Sequence, residues 1–258
     1  MAYKILVISP LHNLGSSTVS AMLNQALTFY NKTSMLTFMQ SDNTIPHYLG
    51  IEEINDPTRS IMQVVKLLDT GALREQDILD YAHQYAQNSY LLNVADPSLT
   101  ANDRLQLVTH VFEHAPTDVV IVDDSADITE QSVKDLIELT DMTFVVINMS
   151  DTAAYHMKVW LTETQLKDNP NIFVCVNCYN EVISDMRNFA RSIGMPANRV
   201  AKVHYNPWIT KSAHLGQLQT VLPFAHDYDY RVAELDADFR DINRCLDSVI
   251  LSKLKKGF

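Results

Sequence analysis

Seven short apolar runs punctuate the chain: KILVIS (4–9), SMLTFM (34–39), YLLNV (90–94), DVVIVD (118–123), TFVVIN (143–148), NIFVCV (172–177) and RVAKV (200–204). Most are continuous rather than alternating. Continuous runs suit strands buried on both faces of a parallel sheet. The intervening segments have helical spacing. Residues 101–114 carry Leu105, Val108, Val111 and Phe112, and residues 129–140 carry Val133, Leu136, Ile137 and Leu139. Segments 152–167 and 180–193 fill the next two gaps. The stretch 52–88 is the least regular and predicts two helices, 58–69 and 75–87, split by "DTGA". The last stretch, about 229–256, predicts one long helix. Strand alternating with helix predicts a doubly wound α/β fold, a mainly parallel sheet flanked by helices. With no Gly-, Ser- or Pro-rich linker and no repeat, residues 1–258 are expected to form a single domain.

Composition narrows the function classes. The chain has 258 residues, 47% hydrophobic and 20% charged, enough for a sizeable core. A net charge of -11 argues against a broad nucleic-acid-coating surface but leaves room for a local basic patch. No run reaches the roughly 18 apolar residues of a membrane span. "MAYKILVISP" lacks the apolar region and cleavage site of a signal peptide, so a cytoplasmic location is expected. Of the three cysteines, Cys175 and Cys178 form one C-x-x-C and Cys245 stands apart. A zinc site needs a second pair or suitably spaced histidines, so a buried cysteine followed by a strand-end cysteine is the expectation.

The candidate chemistry begins in "ISPLHNLGSSTVS" (8–20), between the first strand and a helix. In an open parallel sheet, ligands sit beyond the carboxyl ends of the strands. A phosphate loop needs converging backbone N–H groups, a helix N-terminus, a lysine, and a hydroxyl for magnesium. Gly15 supplies a permissive backbone position. Ser16, Ser17 and Thr18 supply hydroxyls, although a serine here can equally be only a helix cap. No lysine or arginine occurs from residue 5 to residue 31.

Taken in order, these segments resemble the ParA/MinD family of P-loop ATPases, and more loosely its TadZ/CpaE-type branch. Against the family's K-G-G-x-G-K-[ST]-[ST], residues 11–18 fall in register. Gly15 matches the last glycine, Ser17 the magnesium-binding hydroxyl and Thr18 the residue after it. Leu11 and Ser16 stand where the family has its two lysines. In "TDVVIVDDSADIT", Asp123 takes the place of the magnesium-site aspartate, and Asp124, Ser125 and Ala126 replace the residues that follow. Asn177, in "FVCVNCYNE", takes the place of an asparagine that contacts the adenine. "AKVHYNPWITKSAHLGQ" resembles the segment that closes over the base, with Tyr205, Asn206, Ile209, Ala213 and Gly216 in its places. Where relatives often end the second strand in a water-positioning aspartate, Met39 or Gln40 falls, with Asp42 displaced.

The resemblance implies ATP and magnesium as cofactors, held by Gly15, Ser16, Ser17, Thr18, Asn177, Tyr205 and Asn206, with Ser17 and Asp123 at the metal. It implies a homodimer and a protein partner. The missing lysines imply weak or absent hydrolysis, because phosphoryl transfer is mostly positioning and charge stabilisation. Only 6 glycines in 258 residues, against roughly 7% in typical proteins, lean towards a scaffold. Two functions follow: a nucleotide-binding spatial organiser for partition or for positioning an envelope machine, or a nucleotide-independent dimeric scaffold. DNA contact is possible through Arg187, Arg191, Arg199, Lys202 and Lys211. Membrane contact is possible through the C-terminal pattern Leu246, Ile250, Leu254 and Phe258, with Val249 beside it and Lys253, Lys255 and Lys256 following. The alternative for that segment is a last helix packed on the sheet. His110 and His114, with Glu113 between them, share a helix face, but a zinc reading lacks a third ligand. No G-x-S-x-G elbow or dinucleotide fingerprint occurs.

Overall fold

All seven predicted runs fall on strands. The computed structural model describes residues 2–39, 44–51, 58–93, 100–124, 131–226 and 233–251. The strands are β1 (Tyr3–Ile8), β2 (Ser34–Phe38), β3 (His83–Ala86), β4 (Ser89–Leu92), β5 (Val119–Asp124), β6 (Met142–Ile147), β7 (Ile172–Tyr179) and β8 (Val200–His204). They form one sheet in the order β3-β4-β2-β5-β1-β6-β7-β8. Every neighbouring pair is parallel except β3 with β4.

Continuous apolar runs are needed because each of the seven strands they predict feeds two cores. Ile5 and Val7 of β1 join the core on one face, and Leu6 and Ile8 join the other. On the first face lie α1 (Ser16–Phe29), α2 (Ile45–Tyr48), α8 (Pro207–His214), α9 (Leu218–Val221) and α10 (Leu235–Leu246). On the second lie α3 (Ile61–Asp69), α4 (Ala101–His114), α5 (Gln131–Leu139), α6 (Asp151–Glu163) and α7 (Met186–Ile193). Several starts are capped as local chemistry dictates. Thr100 and Asp103 make a reciprocal capping box on α4, and Ser150, Asp185 and Asn206 cap α6, α7 and α8.

The helix predicted at 75–87 is corrected. Residues Glu75–Tyr81 make a 3-10 turn, and β3 follows. Asn88, at φ 59°, supplies a left-handed turn position, and β3 folds back on β4 with a bulge between Gln84 and Ala86. Tyr85, the residue in that bulge, reaches the Asn24 side chain of α1. The helix predicted at 180–193 begins only at Met186. Asn180 first turns the chain, its side-chain oxygen accepting from the Val182 N–H and its carbonyl from the Ile183 N–H. The helix predicted at 152–167 ends at Glu163, and Leu166–Asp168 form a 3-10 turn. Of the predicted 229–256 helix, Leu235–Leu246 are α-helical and Asp247–Leu251 continue as a π turn. Residues 229–232 and 252–258, Leu254 and Phe258 among them, lie outside the described residues, as do Gln40, Asp42, Ser125 and Ala126.

Helix α10 also covers the exposed edge of β8. Asp238 accepts the backbone N–H of His204 at 3.1 Å, and Arg244 donates to the Val200 carbonyl at 2.8 Å. An edge strand blunted in this way is a poor template for pairing with another chain.

Candidate nucleotide site

The central strand β1 is flanked by β5 and β6. The loop after it therefore opens where the chain's connections diverge to opposite sides of the sheet, the usual place for a ligand. Ser9 fastens the loop's start, its hydroxyl 2.7 Å from the Leu11 carbonyl and 3.0 Å from that of Val146. Asn13 and Gly15 both take positive φ, 62° and 91°. Gly15 is the N-cap of α1, with no side-chain cap. Neither Ser16 nor Ser17 caps the helix. The first N–H groups of α1 thus open towards the carboxyl end of the sheet, with a dipole that favours an anion.

Ser17 donates its hydroxyl to Asp123 Oδ2 at 2.9 Å. Asp123, the last residue but one of β5, is fully buried, and its carbonyl accepts the Met39 N–H at 3.1 Å. A hydroxyl and a carboxylate are hard oxygen donors of the kind magnesium takes. This pair fits a magnesium ion.

Terminal phosphates would find less here. Leu11, where the resemblance places a lysine, packs as a partly buried residue against the core, and Ser16, at the second lysine position, is buried. Met39, near the expected place of the water-positioning aspartate, is a core residue.

Asn177 crosses the loop. Its Nδ2 donates to the Leu14 carbonyl at 2.8 Å, and a Cβ on Gly15 would come within 2.1 Å of that nitrogen. Gly15 is therefore required twice, by its φ and by the close approach. A bulge after Asn177, with Cys178 at φ 54°, turns the end of β7 towards a cleft of about 100 Å³. Thr18, Tyr48, Asn177, His204, Tyr205 and Asn206 are among its walls. Asn206 caps α8 through its Oδ1, 2.8 Å from the Trp208 N–H, and Tyr205 is 57% exposed. The predicted residues Gly15, Ser16, Ser17, Thr18, Asn177, Tyr205, Asn206 and Asp123 thus gather at one end of the sheet.

Comparison with solved structures gives this arrangement a context. A MinC:MinD cell division complex from Aquifex aeolicus superposes with a TM-score of 0.71 at 15% identity, over 96% of each chain. MinD from Pyrococcus horikoshii, complexed with Mg-ADP, gives 0.68 at 15%, over 94% of each. A ParA family ATPase from Chlorobium tepidum gives 0.71 at 14%, over 95% of this chain and 99% of that one. This is the MinD/ParA P-loop NTPase fold. No family model and no curated protein matches the chain.

Within the MinD/ParA fold, His204 is the residue sequence reasoning missed. Its Nδ1 lies 2.6 Å from Asp238 Oδ1, and its ring stands edge-on to Tyr179 at 5.2 Å. The Asp238 carboxylate raises the His204 pKa, against the opposing effects of burial and Lys202. Nothing local marks it, because its partner comes from α10, 34 residues later.

Of the other sequence candidates, Cys178 also borders the cleft. Cys175 and Cys245 are buried and Cys178 is exposed. Burial pushes all three thiols up, Cys245 to about 12, which makes them poor nucleophiles. His110 and His114 stack at 6.1 Å, and His114 bonds Glu75 at 2.7 Å, tying α4 to the 3-10 turn. Among the described residues no group of three or more His, Cys, Asp or Glu could hold a metal. Of the five cations considered for DNA, Arg199 is committed to the Asn169 and Lys167 carbonyls, and Lys202 and Lys211 lie over Tyr179 and Trp208. Among the described residues no helix is long and apolar enough to cross a membrane.

Proposed function

We propose that the protein is a nucleotide-binding spatial organiser that hydrolyses ATP weakly or not at all. One observation carries this reading: the Ser17–Asp123 pair stands at the uncapped start of α1, in a loop without lysine or arginine. The pair supports magnesium binding, and the missing cations support slow chemistry, since removing a group that stabilises the transition state costs orders of magnitude in rate. Gly15, Ser16, Ser17 and Thr18 would hold phosphates, and Asn177, Tyr205 and Asn206 the base. Tyr155, Val182, Ile183, Tyr205 and Trp208 are exposed just beyond the carboxyl ends of β6, β7 and β8. Large apolar side chains in such positions support a homodimer or a protein partner at this end. The Aquifex MinD was solved with MinC, and the Pyrococcus MinD with Mg-ADP.

A second reading has its own support. The Asn177–Leu14 bond, with Asn177 packed on Gly15, closes the loop with the protein's own side chain. A dimeric scaffold that works without nucleotide needs no more than this. Calorimetric titration with ATP and ADP plus magnesium, with light scattering for mass, separates the two. Micromolar binding with a shift to dimer supports the organiser. No heat and an unchanged mass reject it and leave the scaffold. Turnover at rates typical of active ATPases overturns the weak-hydrolysis reading.

A further inference from the structure

Several polar side chains around the cleft are committed within the protein. Asn177 donates to Leu14, and Asn206 accepts from Trp208 and Ile209. His204 differs. Asp238, 2% exposed, holds both its Nδ1 and its backbone N–H, at 2.6 and 3.1 Å. A carboxylate that grips ring and backbone together fixes the ring's rotation and places a proton on Nδ1. Among the described residues Nε2 has no hydrogen-bond partner, and His204 is one of the residues lining the cleft.

We propose that His204, positioned by Asp238, selects the ligand of this cleft: as imidazolium, it donates from Nε2 to an acceptor atom on the ring of a bound nucleotide. The inference rests on the nucleotide reading above and adds a residue to it.

The groups around His204 set the direction of its pH dependence. Asp238 and Glu234 of α10 favour the charged ring, whereas Lys202 of β8 and burial oppose it. Tyr179 and Cys178 of β7 lie on the strand beside it, and His214 of α8 lies across the cleft. The pKa stands above the ordinary value of about 6.5. Affinity is therefore highest below that value and falls as pH rises through the raised pKa.

The test is calorimetric titration of the full chain with Mg-ATP from pH 6 to 9, for wild type, His204→Phe, His204→Gln, Asp238→Asn and, as a control away from the cleft, His110→Asn on α4. Phenylalanine keeps the ring packed on Tyr179, and its own profile subtracts the nucleotide's titration. Relative to that baseline, wild type should lose roughly tenfold or more in affinity across the range. His204→Gln should restore part of the binding with a flat profile. Asp238→Asn should move the transition to lower pH, and His110→Asn should follow wild type. Nitrogen-detected NMR should show the His204 pKa rising when Mg-ATP is added, a reciprocal shift that a purely structural histidine would not make. Binding with the same pH profile in wild type and His204→Phe, and no shift of the histidine, overturns this inference and leaves the nucleotide reading standing. No binding at any pH overturns both.

Discussion

Ser17 and Asp123 are 106 residues apart in sequence, yet a 2.9 Å hydrogen bond joins them across the carboxyl end of the sheet. Their meeting follows from the topology. β1 and β5 are parallel neighbours with Val7 opposite Asp123, so the helix that follows β1 starts beside the end of β5. Replacing Ser17 with alanine removes a donor from a buried carboxylate. That should lower stability by about 1–3 kcal/mol, read from urea unfolding. Under the nucleotide reading, the same variant should also lose most of the stabilisation that Mg-ATP gives wild type. A variant as stable as wild type would show that the bond contributes nothing.

Gly15 and Asn177 should behave as a coupled pair. Gly15→Ala meets two obstacles: φ of 91° and a Cβ within 2.1 Å of Asn177 Nδ2. The backbone conformation alone costs roughly 1–2 kcal/mol for a residue with a side chain, and the clash adds to it. Asn177→Ala removes the clash but also the bond to Leu14. The double variant should therefore be less destabilised than the sum of the singles, by about 0.5 kcal/mol or more in a double-mutant cycle. Additive losses would mean that the loop relaxes away from Asn177.

Much of this was legible in the sequence. Buried parallel strands read as continuous apolar runs, which located seven of the eight strands. The eighth, His83–Ala86, has neither a continuous run nor clean alternation, and its partner strand is adjacent, so the hairpin hid inside an apparent helix. The order of the elements placed Ser17, Asp123 and Asn177 together. What could not be read was where each polar group would be committed. The Asn177–Leu14 and His204–Asp238 bonds join residues 163 and 34 positions apart, and no local spacing announces either.

The wall of the cleft that carries Tyr48 depends on a backbone contact. A Cβ on Gly50 would lie 2.5 Å from the Gly216 carbonyl oxygen, and His47 Nε2 lies 3.1 Å from the His214 carbonyl. The turn after α2 is thus pressed on the turn after α8. Backbone cannot retreat as the end of a side chain can. Gly50→Ala, at φ 68°, should cost about 2 kcal/mol or more, above the penalty for backbone conformation alone. If the cleft is where a ligand binds, the same change should weaken binding by displacing Tyr48. Near-wild-type urea midpoints would show that the two turns separate freely.

The clamp between β8 and α10 should make stability depend on pH in a defined direction. The Asp238 carboxylate raises the His204 pKa above its unfolded value of about 6.5. A group whose pKa is raised on folding stabilises the native state fully below the unfolded value. That contribution is lost as pH rises through the folded value, so the window opens near 6.5 and extends upwards. Urea midpoints taken from pH 6 to 9 should fall in wild type more than in His204→Phe. Asp238→Asn should flatten the same window, because a neutral partner no longer favours the imidazolium. Arg244, which holds the other end of β8 through the Val200 carbonyl, gives a control. Arg244→Ala should weaken the edge by about 1 kcal/mol, a typical value for such a bond, without changing the difference between pH 6 and pH 9. Parallel pH profiles in wild type and His204→Phe would show that the His204–Asp238 bond is made equally well by the neutral ring.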